Sequence, residues 1–250
     1  MKSKIEIIAD RIAGGGRNIV FTGAGISTES GIPDYRSQGG IWDQFKPIYY
    51  DAFISSRDAR IEHWRQKMEL YEDLKRANPN PAHLAIVELD QMGLLKAVIT
   101  QNIDGLHQAA GLPPEKVIEL HGNTNRVRCL TCNELTSIDV IYRRIASGDP
   151  APVCRCGGYL KTDTVSFGQA MPIAEMERAA EFSRNCDFFL AVGSTLVVHP
   201  AASLPALAKH SGAFTAIINL SETSYDPMFD VLIRGKAGEV MQEIVDCIRR

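Results

Sequence analysis

Asn18-Ile19-Val20-Phe21-Thr22-Gly23-Ala24-Gly25-Ile26-Ser27 is the stretch on which the fold turns. A short apolar, β-rich run ends in two glycines two apart, where backbone turns tightly and can approach a pyrophosphate closely. That points to a dinucleotide at the end of a first strand. The ordinary dehydrogenase fingerprint is incomplete, however: its third glycine would fall at position 28, which is Thr28, and no strand ends in an acidic residue about twenty positions on. On their own, Gly23 and Gly25 could equally be a structural turn.

Further β-rich runs lie at Ala97 to Thr100, Val117 to Leu120, Thr164 to Phe167, Asp187 to Val192 and Phe214 to Leu220, and all are expected to be buried parallel strands. Helical spacing separates several of them: Ile5, Ile8 and Ile12; Leu204, Leu207 and Ala208; Met241, Ile244, Val245 and Ile248. Strand alternating with helix predicts an α/β fold with a doubly wound parallel sheet. Two insertions interrupt it. From about Ile32 to Gly93 the residues Ile61, Trp64, Met68, Tyr71 and Leu74 repeat at helical spacing, and Asn80-Pro81 reads as an N-cap and first-turn pair. From about Arg126 to Lys161 long apolar runs are lacking, so this segment needs a metal to hold it together. The expected organisation is a core at about 1–31, 94–125 and 162–250, a helical module at about 32–93 and a metal module at about 126–161.

The 250 residues are 45% hydrophobic, which excludes wholesale disorder, and 27 Lys+Arg against 30 Asp+Glu leave no basic excess for sequence-independent nucleic-acid binding. No window is apolar for long enough to suggest a membrane span, and Glu6, Asp10 and Arg11 interrupt anything resembling a signal peptide. A cytoplasmic location is expected. Six cysteines are too sparse for a disulfide scaffold. Four of them, Cys129, Cys132, Cys154 and Cys156, form C-x2-C and C-x-C knuckles, a ligand set suited to tetrahedral Zn²⁺ with every position filled by protein. The metal is therefore expected to be structural. Cys186 and Cys247 read as unpaired thiols.

Two segments follow strands at the ligand-binding edge of such a sheet: Gln101-Asn102-Ile103-Asp104-Gly105-Leu106-His107 and Glu119-Leu120-His121-Gly122. His121, at a strand end, suits a general base because imidazole accepts a proton near neutrality. His107, placed after the turn, suits packing or hydrogen bonding. Gly193-Ser194-Thr195 and Asn219-Leu220-Ser221 also end strands, with small or hydrogen-bonding side chains able to face a phosphate or ribose.

Together these residues resemble the sirtuin family of NAD-dependent protein deacylases along nearly the whole chain. The likeness rests on Gly23-Ala24-Gly25-Ile26-Ser27, Gly31-Ile32-Pro33-Asp34-Tyr35-Arg36, Thr100 to His107, His121-Gly122, the four cysteines, Phe167-Gly168, Gly193-Ser194 and Asn219-Leu220, in the family's order. The resemblance implies a Rossmann-like domain with a zinc module and a helical module, NAD and an acylated-lysine protein or peptide meeting between them. It implies His121, Asn102 and Asp104 as catalytic residues. Ala24, Ile32, Tyr35, Asn102, Ile103 and Asp104 would line the nicotinamide pocket. Gly23, Gly25, Ser27, Asp34, Arg36, Gln101, Gly193, Ser194, Thr195, Asn219, Leu220, Ser221 and Ala237 would contact the rest of NAD. Val165, Ser166, Phe167 and Gly168 would bind the acyl-lysine peptide as an added strand.

The chain departs from the family pattern in three places. Cys154-Arg155-Cys156 stands where C-x2-C is usual, Gln169 stands where an acid is common, and the helical module offers Glu62-His63-Trp64-Arg65-Gln66-Lys67 without the Tyr-x-x-Arg that holds acidic acyl groups. A neutral acyl group such as acetyl is thus expected, with His63 or Arg65 as candidate substitutes for the missing pair. Three other readings stand beside the deacylase: a mono-ADP-ribosyltransferase with the same NAD chemistry, a hydride-transferring oxidoreductase, and a non-enzymatic module whose knuckles bind nucleic acid. The incomplete glycine fingerprint disfavours the second. Neutral charge and few aromatics near the knuckles disfavour the third.

Overall fold

Every residue of Asn18–Thr22, strand β1, is buried, so apolar layers must cover it on both sides. The structure, a computed structural model, describes residues 2–250. The later strands are β2 (Ala97–Thr100), β3 (Val117–Glu119), β4 (Gly122–Cys129), β5 (Leu135–Ser137), β6 (Leu160–Thr164), β7 (Phe188–Val192), β8 (Phe214–Ile218) and β9 (Val231–Ile233). The helices are α1 (Lys4–Ala13), α2 (Ile41–Gln44), α3 (Tyr50–Ser55), α4 (Arg57–Arg76), α5 (Pro81–Gln91), α6 (Leu106–Ala109), α7 (Ile138–Ala146), α8 (Ile173–Asn185), α9 (Leu204–His210) and α10 (Ala237–Ile248).

The main sheet is six-stranded and parallel, in the order β3-β2-β1-β7-β8-β9. Because successive side chains point to opposite faces, Val20, Val98 and Leu190 pack with Ile8 and Ile12 of α1, Ile86 and Leu89 of α5 and Met241 and Ile244 of α10. Ile19, Phe21, Ile99 and Phe189 pack on the other face with Ala179 of α8 and Leu204 and Ala208 of α9. The ends of these helices are locally specified. Ser3 and Glu6 form a capping box on α1, and Asn80 caps α5 ahead of Pro81. The strand order turns back between β1 and β7, and ligands of open α/β sheets bind outside the carboxyl ends at such a switch point.

The run Thr164–Phe167 is not the core strand expected from its apolar content. The strand there is β6, Leu160–Thr164, and it pairs antiparallel with β4 in a separate three-stranded sheet, β5-β4-β6. Its buried residues include Lys161 and Thr162, so hydropathy concealed it. Strands β4, β5 and β9 were also not anticipated: β4 buries Asn123 and Thr124 beside Val127 and Cys129, and β5 and β9 are only three residues each. The small sheet packs on Trp64 and Tyr71 of α4 and on Ile138 and Ile141 of α7. Among the described residues, no helix is long and apolar enough to cross a membrane.

Candidate active site

The turn after β1 crosses the turn after β7 at backbone contact. A Cβ on Gly25 would lie 2.8 Å from the Gly193 carbonyl oxygen, and one on Gly193 would lie 2.3 Å from the Ile26 nitrogen. These positions are glycine because two chain segments share the space of one, and Gly25 N–H donates to Gly193 O at 2.8 Å. Gly23 meets the same crossing through Ser194.

The loop after β2 faces this crossing and is held by side chains. Asn102 N–H donates to Thr100 Oγ1 (3.0 Å), Asn102 Nδ2 to Ser27 Oγ (3.2 Å), and the Ser27 hydroxyl to Asp104 Oδ2 (2.8 Å). Leu106 N–H also donates to Asp104. Burial pushes the Asp104 carboxyl above its ordinary pKa, against the opposing pull of these two donors. The Ser194 hydroxyl donates to Gln101 Oε1 at 2.8 Å, tying the β2 and β7 ends together.

His121 stands in the same crest. Its Nδ1 is 2.8 Å from the Gln101 carbonyl oxygen, which can only accept, so Nδ1 carries the proton and Nε2 keeps a free lone pair. Burial lowers its pKa, partly offset by that hydrogen bond, so the neutral, proton-accepting form is favoured. The next residue, Gly122, has φ 77° and lies where any Cβ would meet Asp163 O at 2.0 Å. The chain can therefore turn from His121 directly into β4. Val165 N–H in turn donates to His121 O at 3.0 Å, fixing the start of the 165–168 segment beside the imidazole.

An aromatic wall runs from the helical insertion to that segment. Tyr35 and Trp42 are 5.1 Å apart, Trp42 and Phe167 5.8 Å, and Tyr49 and Phe167 5.8 Å between ring centroids. Tyr50 N–H donates to Phe167 O (2.9 Å), joining α3 to the segment. Gln169, the residue in place of an acid, accepts from Ser166 N–H through its amide oxygen and closes the 166–169 turn. Burial drives the Tyr35 phenol up to about 12, with the nearby Asp104 charge adding to it.

All of this encloses one cavity of about 670 Å³, within the range of small-molecule sites. Every residue named from the sequence for NAD, catalysis or the acyl-lysine peptide lines it except Gly23, which packs behind the crossing. Asp34 spends its carboxylate on its own loop, accepting from the N–H groups of Arg36 and Ser37. Arg65 does not enter the cavity; its guanidinium is held outside by Glu62 and Glu69. His63 does reach it, but with Nε2 3.3 Å from Thr162 Oγ1. Two cavity features escaped the sequence reading. Lys67 lines the wall on α4, where burial lowers its pKa to about 8. Glu29 also lines the cavity and accepts from Gly238 N–H at the start of α10.

The four clustered cysteines come together despite the C-x-C spacing. Their sulfurs all lie within 4.8 Å of one another, with Cys129–Cys156 at 3.5 Å and Cys132–Cys154 at 3.7 Å. Four thiolates about 2.3 Å from a tetrahedral Zn²⁺ would be about 3.8 Å apart, so the set fits zinc. No position is left for a reacting ligand.

A profile described as the Sir2 family matches residues 23–200. NAD-dependent protein deacetylase 1 of Bradyrhizobium diazoefficiens is 48% identical over 246 residues, 98% of this chain and 96% of that protein. NAD-dependent protein deacylase 2 of Archaeoglobus fulgidus is 44% identical over 252 residues, 100% of this chain and 98% of that protein. A Sir2 structure with p53 peptide and NAD+ superposes with a TM-score of 0.88 at 33% identity, covering 98% of each chain. With the crest, the imidazole and the cysteine cluster in that common frame, this chain belongs to the Sir2 family.

Proposed function

We propose that the protein removes acyl groups, acetyl first among them, from lysine side chains of proteins, consuming one NAD and one water per turnover. The products are free lysine, nicotinamide and an O-acyl-ADP-ribose. The observation that carries this reading is the neutral His121, whose unencumbered Nε2 shares one cavity with the Asn102–Asp104 loop and with residues 165–168. A Sir2 relative solved with peptide and NAD+, together with deacetylase and deacylase relatives along the full chain, supports the same assignment.

In this reading the acyl-lysine peptide lies along Val165–Gly168 by main-chain hydrogen bonds, which tolerate many sequences. Asn102 and Asp104 orient the nicotinamide riboside and stabilise the positive charge that grows on the ribose as the glycosidic bond breaks. The acyl oxygen takes the ribose carbon that nicotinamide leaves. His121 Nε2 then accepts a proton from a ribose hydroxyl, whose oxygen attacks the acyl carbon; the lysine amine leaves as that carbon–nitrogen bond breaks, and the water adds to give the O-acyl-ADP-ribose. Zinc bound by Cys129, Cys132, Cys154 and Cys156 would hold the small sheet together and take no part in the chemistry. A ligand set of free thiolates suits a reducing compartment, and we assign the protein to the cytoplasm on that ground.

The test is a mass-resolved incubation of the purified protein with NAD and an acetyl-lysine peptide. Free peptide and acetylated ADP-ribose in equal amounts are expected. ADP-ribose mass on a protein acceptor without deacylation, or NADH formation, would overturn the assignment.

A further inference from the structure

Beneath the crest, two buried histidines have one ring nitrogen each without a partner: His83 Nε2 and His107 Nδ1. Their rings lie 5.1 Å apart, centroid to centroid, and both side chains are sealed from solvent. Burial holds His83 down to about 4 and His107 down to about 3, so both are neutral near pH 7 and each carries a single N–H.

Which nitrogen carries it follows from the neighbours. His83 Nδ1 accepts from the Asn80 backbone N–H at 3.4 Å, so its proton is on Nε2, the orphaned atom. His107 Nε2 is 2.9 Å from Thr22 Oγ1, whose hydroxyl is already donated to Thr100 Oγ1 (2.8 Å); His107 must therefore donate through Nε2 and keep its lone pair on Nδ1. One orphan is a donor and the other an acceptor. A leftover donor and a leftover acceptor on neighbouring rings are complementary, and a buried polar group left without a partner is costly.

The remaining bonds form an almost closed circuit around the active-site walls. Asn80 Nδ2 donates to Ile26 O (2.7 Å) and Ser30 Oγ (2.9 Å) in the segment after β1. Ser27 of that segment joins Asn102, Asn102 N–H joins Thr100, Thr100 joins Thr22, and Thr22 joins His107. Only the link from His107 back to His83 and Asn80 is absent from this circuit.

We propose that one buried water bridges His83 Nε2–H to His107 Nδ1, closing the circuit, and that His107 is a positioning residue setting Asn102 and Ser27 through Thr22 and Thr100. A water with a donor on one side and an acceptor on the other has the polar partners it needs. The neutral imidazoles bring no charge beneath the sheet, so the loop is fixed by geometry alone. The positioning role rests on Asn102 facing NAD, as in the proposed function; the circuit itself does not.

The experiment has two arms. Nitrogen-15 NMR of histidine-labelled wild-type protein, without substrate, should show both residues as Nε2–H tautomers, with His107 Nδ1 shifted as a lone pair that accepts a hydrogen bond. An Nδ1–H tautomer at His107, or an unbonded Nδ1 lone pair, would overturn the bridge. In the second arm NAD affinity is titrated directly, without reference to catalysis. His107→Leu should weaken NAD binding roughly tenfold in the folded protein, since a misplaced binding group is costly, and His107→Gln, which retains an N–H for Thr22, should recover most of it. If His107→Leu lowers the melting temperature but binds NAD like the wild type, His107 is not a positioning residue. If the wild type binds NAD and meets the NMR expectation but does not deacylate, the proposed function fails and the circuit stands.

Discussion

The crest of the main sheet rests on two apolar layers, whereas the small sheet β5-β4-β6 shares a single cluster of eight buried residues with α4 and α7. Two of those eight are the cysteines Cys129 and Cys154, so the metal ligands are themselves part of the hydrophobic core. The small sheet also buries Lys161, whose ammonium is satisfied by the carbonyl oxygens of Thr162 and Thr164. The main sheet can therefore tolerate a buried polar network at its crest because apolar burial supports it. The small sheet has no such reserve and is expected to depend on the metal.

The largest expected effect breaks that comparison at the metal. Structural zinc contributes on the order of 10 kcal/mol of local folding energy. Chelation, or Cys129→Ser, should unfold residues 122–164 while leaving β1, β2, β7 and β8 largely protected from hydrogen exchange. A metal-free protein with the small sheet still fully protected would show that the eight-residue cluster suffices by itself.

Next comes His121, which should separate chemistry from stability. His121→Ala removes the proposed base, and a loss of roughly 10²- to 10⁴-fold in acyl transfer is expected. The side chain contributes one hydrogen bond to Gln101 O and no metal contact, so the melting temperature should move little. Near-normal turnover in this variant would end the assignment of His121 as base.

The two regions should also answer to pH in different windows, both gaining stability as pH rises. Under the main sheet, His83 and His107 have pKa values held down by burial, while the unfolded chain protonates near 6.5. Below that pH the unfolded state binds more protons, so stability falls as pH drops from about 6.5 towards 4, by about 3 kcal/mol from His83 alone. Beside the small sheet, burial lowers Lys161 to about 7, with the charge of Lys67 adding to it, and burial lowers Lys67 to about 8. An unfolded lysine stays protonated to about 10.4, so these two penalise the fold fully below pH 7, and stability should rise from about pH 7 to 10. Denaturant midpoints across pH 4–10, with Lys161→Met flattening the alkaline limb, would measure both. A flat profile from 4 to 7 would contradict neutral burial of the histidine pair.

Strands β1, β2 and β7 were legible because a strand covered on both faces is apolar at every position, and hydropathy registers that directly. Strands β4 and β6 were not, because burial there falls on Asn123, Thr124, Lys161 and Thr162, polar residues whose bonds, such as Asn123 to Glu119, Lys161 to carbonyl oxygens of its own strand and Thr162 to His63 on α4, hydropathy does not register. The site shows the same division. Gln101–Asp104 and His121 follow strands directly and could be read from position. Lys67 and Glu29 could not, since the cavity they line is assembled from segments far apart in sequence, and Glu29 bonds to a residue 209 positions away. Arg65 was misjudged for a related reason: a helix face is set by what packs against it, and here Trp64 turns inward while Arg65 pairs with its own neighbours.

The smallest expected effect lies at Asn80, which tests how far the crest depends on one side chain. Its amide oxygen caps α5 by accepting from Ala82 N–H (2.9 Å), and its amide nitrogen donates to Ile26 O and Ser30 Oγ. Loss of an N-cap costs about 1 kcal/mol, and loss of the donation leaves the Ile26 carbonyl short of a partner, at about another 1 kcal/mol. Asn80→Ala removes both functions, so a fall of about 2 kcal/mol is expected. Asn80→Ser keeps a capping oxygen but is too short to reach Ile26, so it isolates the second term and should cost about half as much. If the two variants are equally destabilised in chemical denaturation, the bond to Ile26 accounts for the whole effect and the helix cap for none. If Asn80→Ser is neutral, the segment after β1 is held by its crossing with Gly193 and does not need α5.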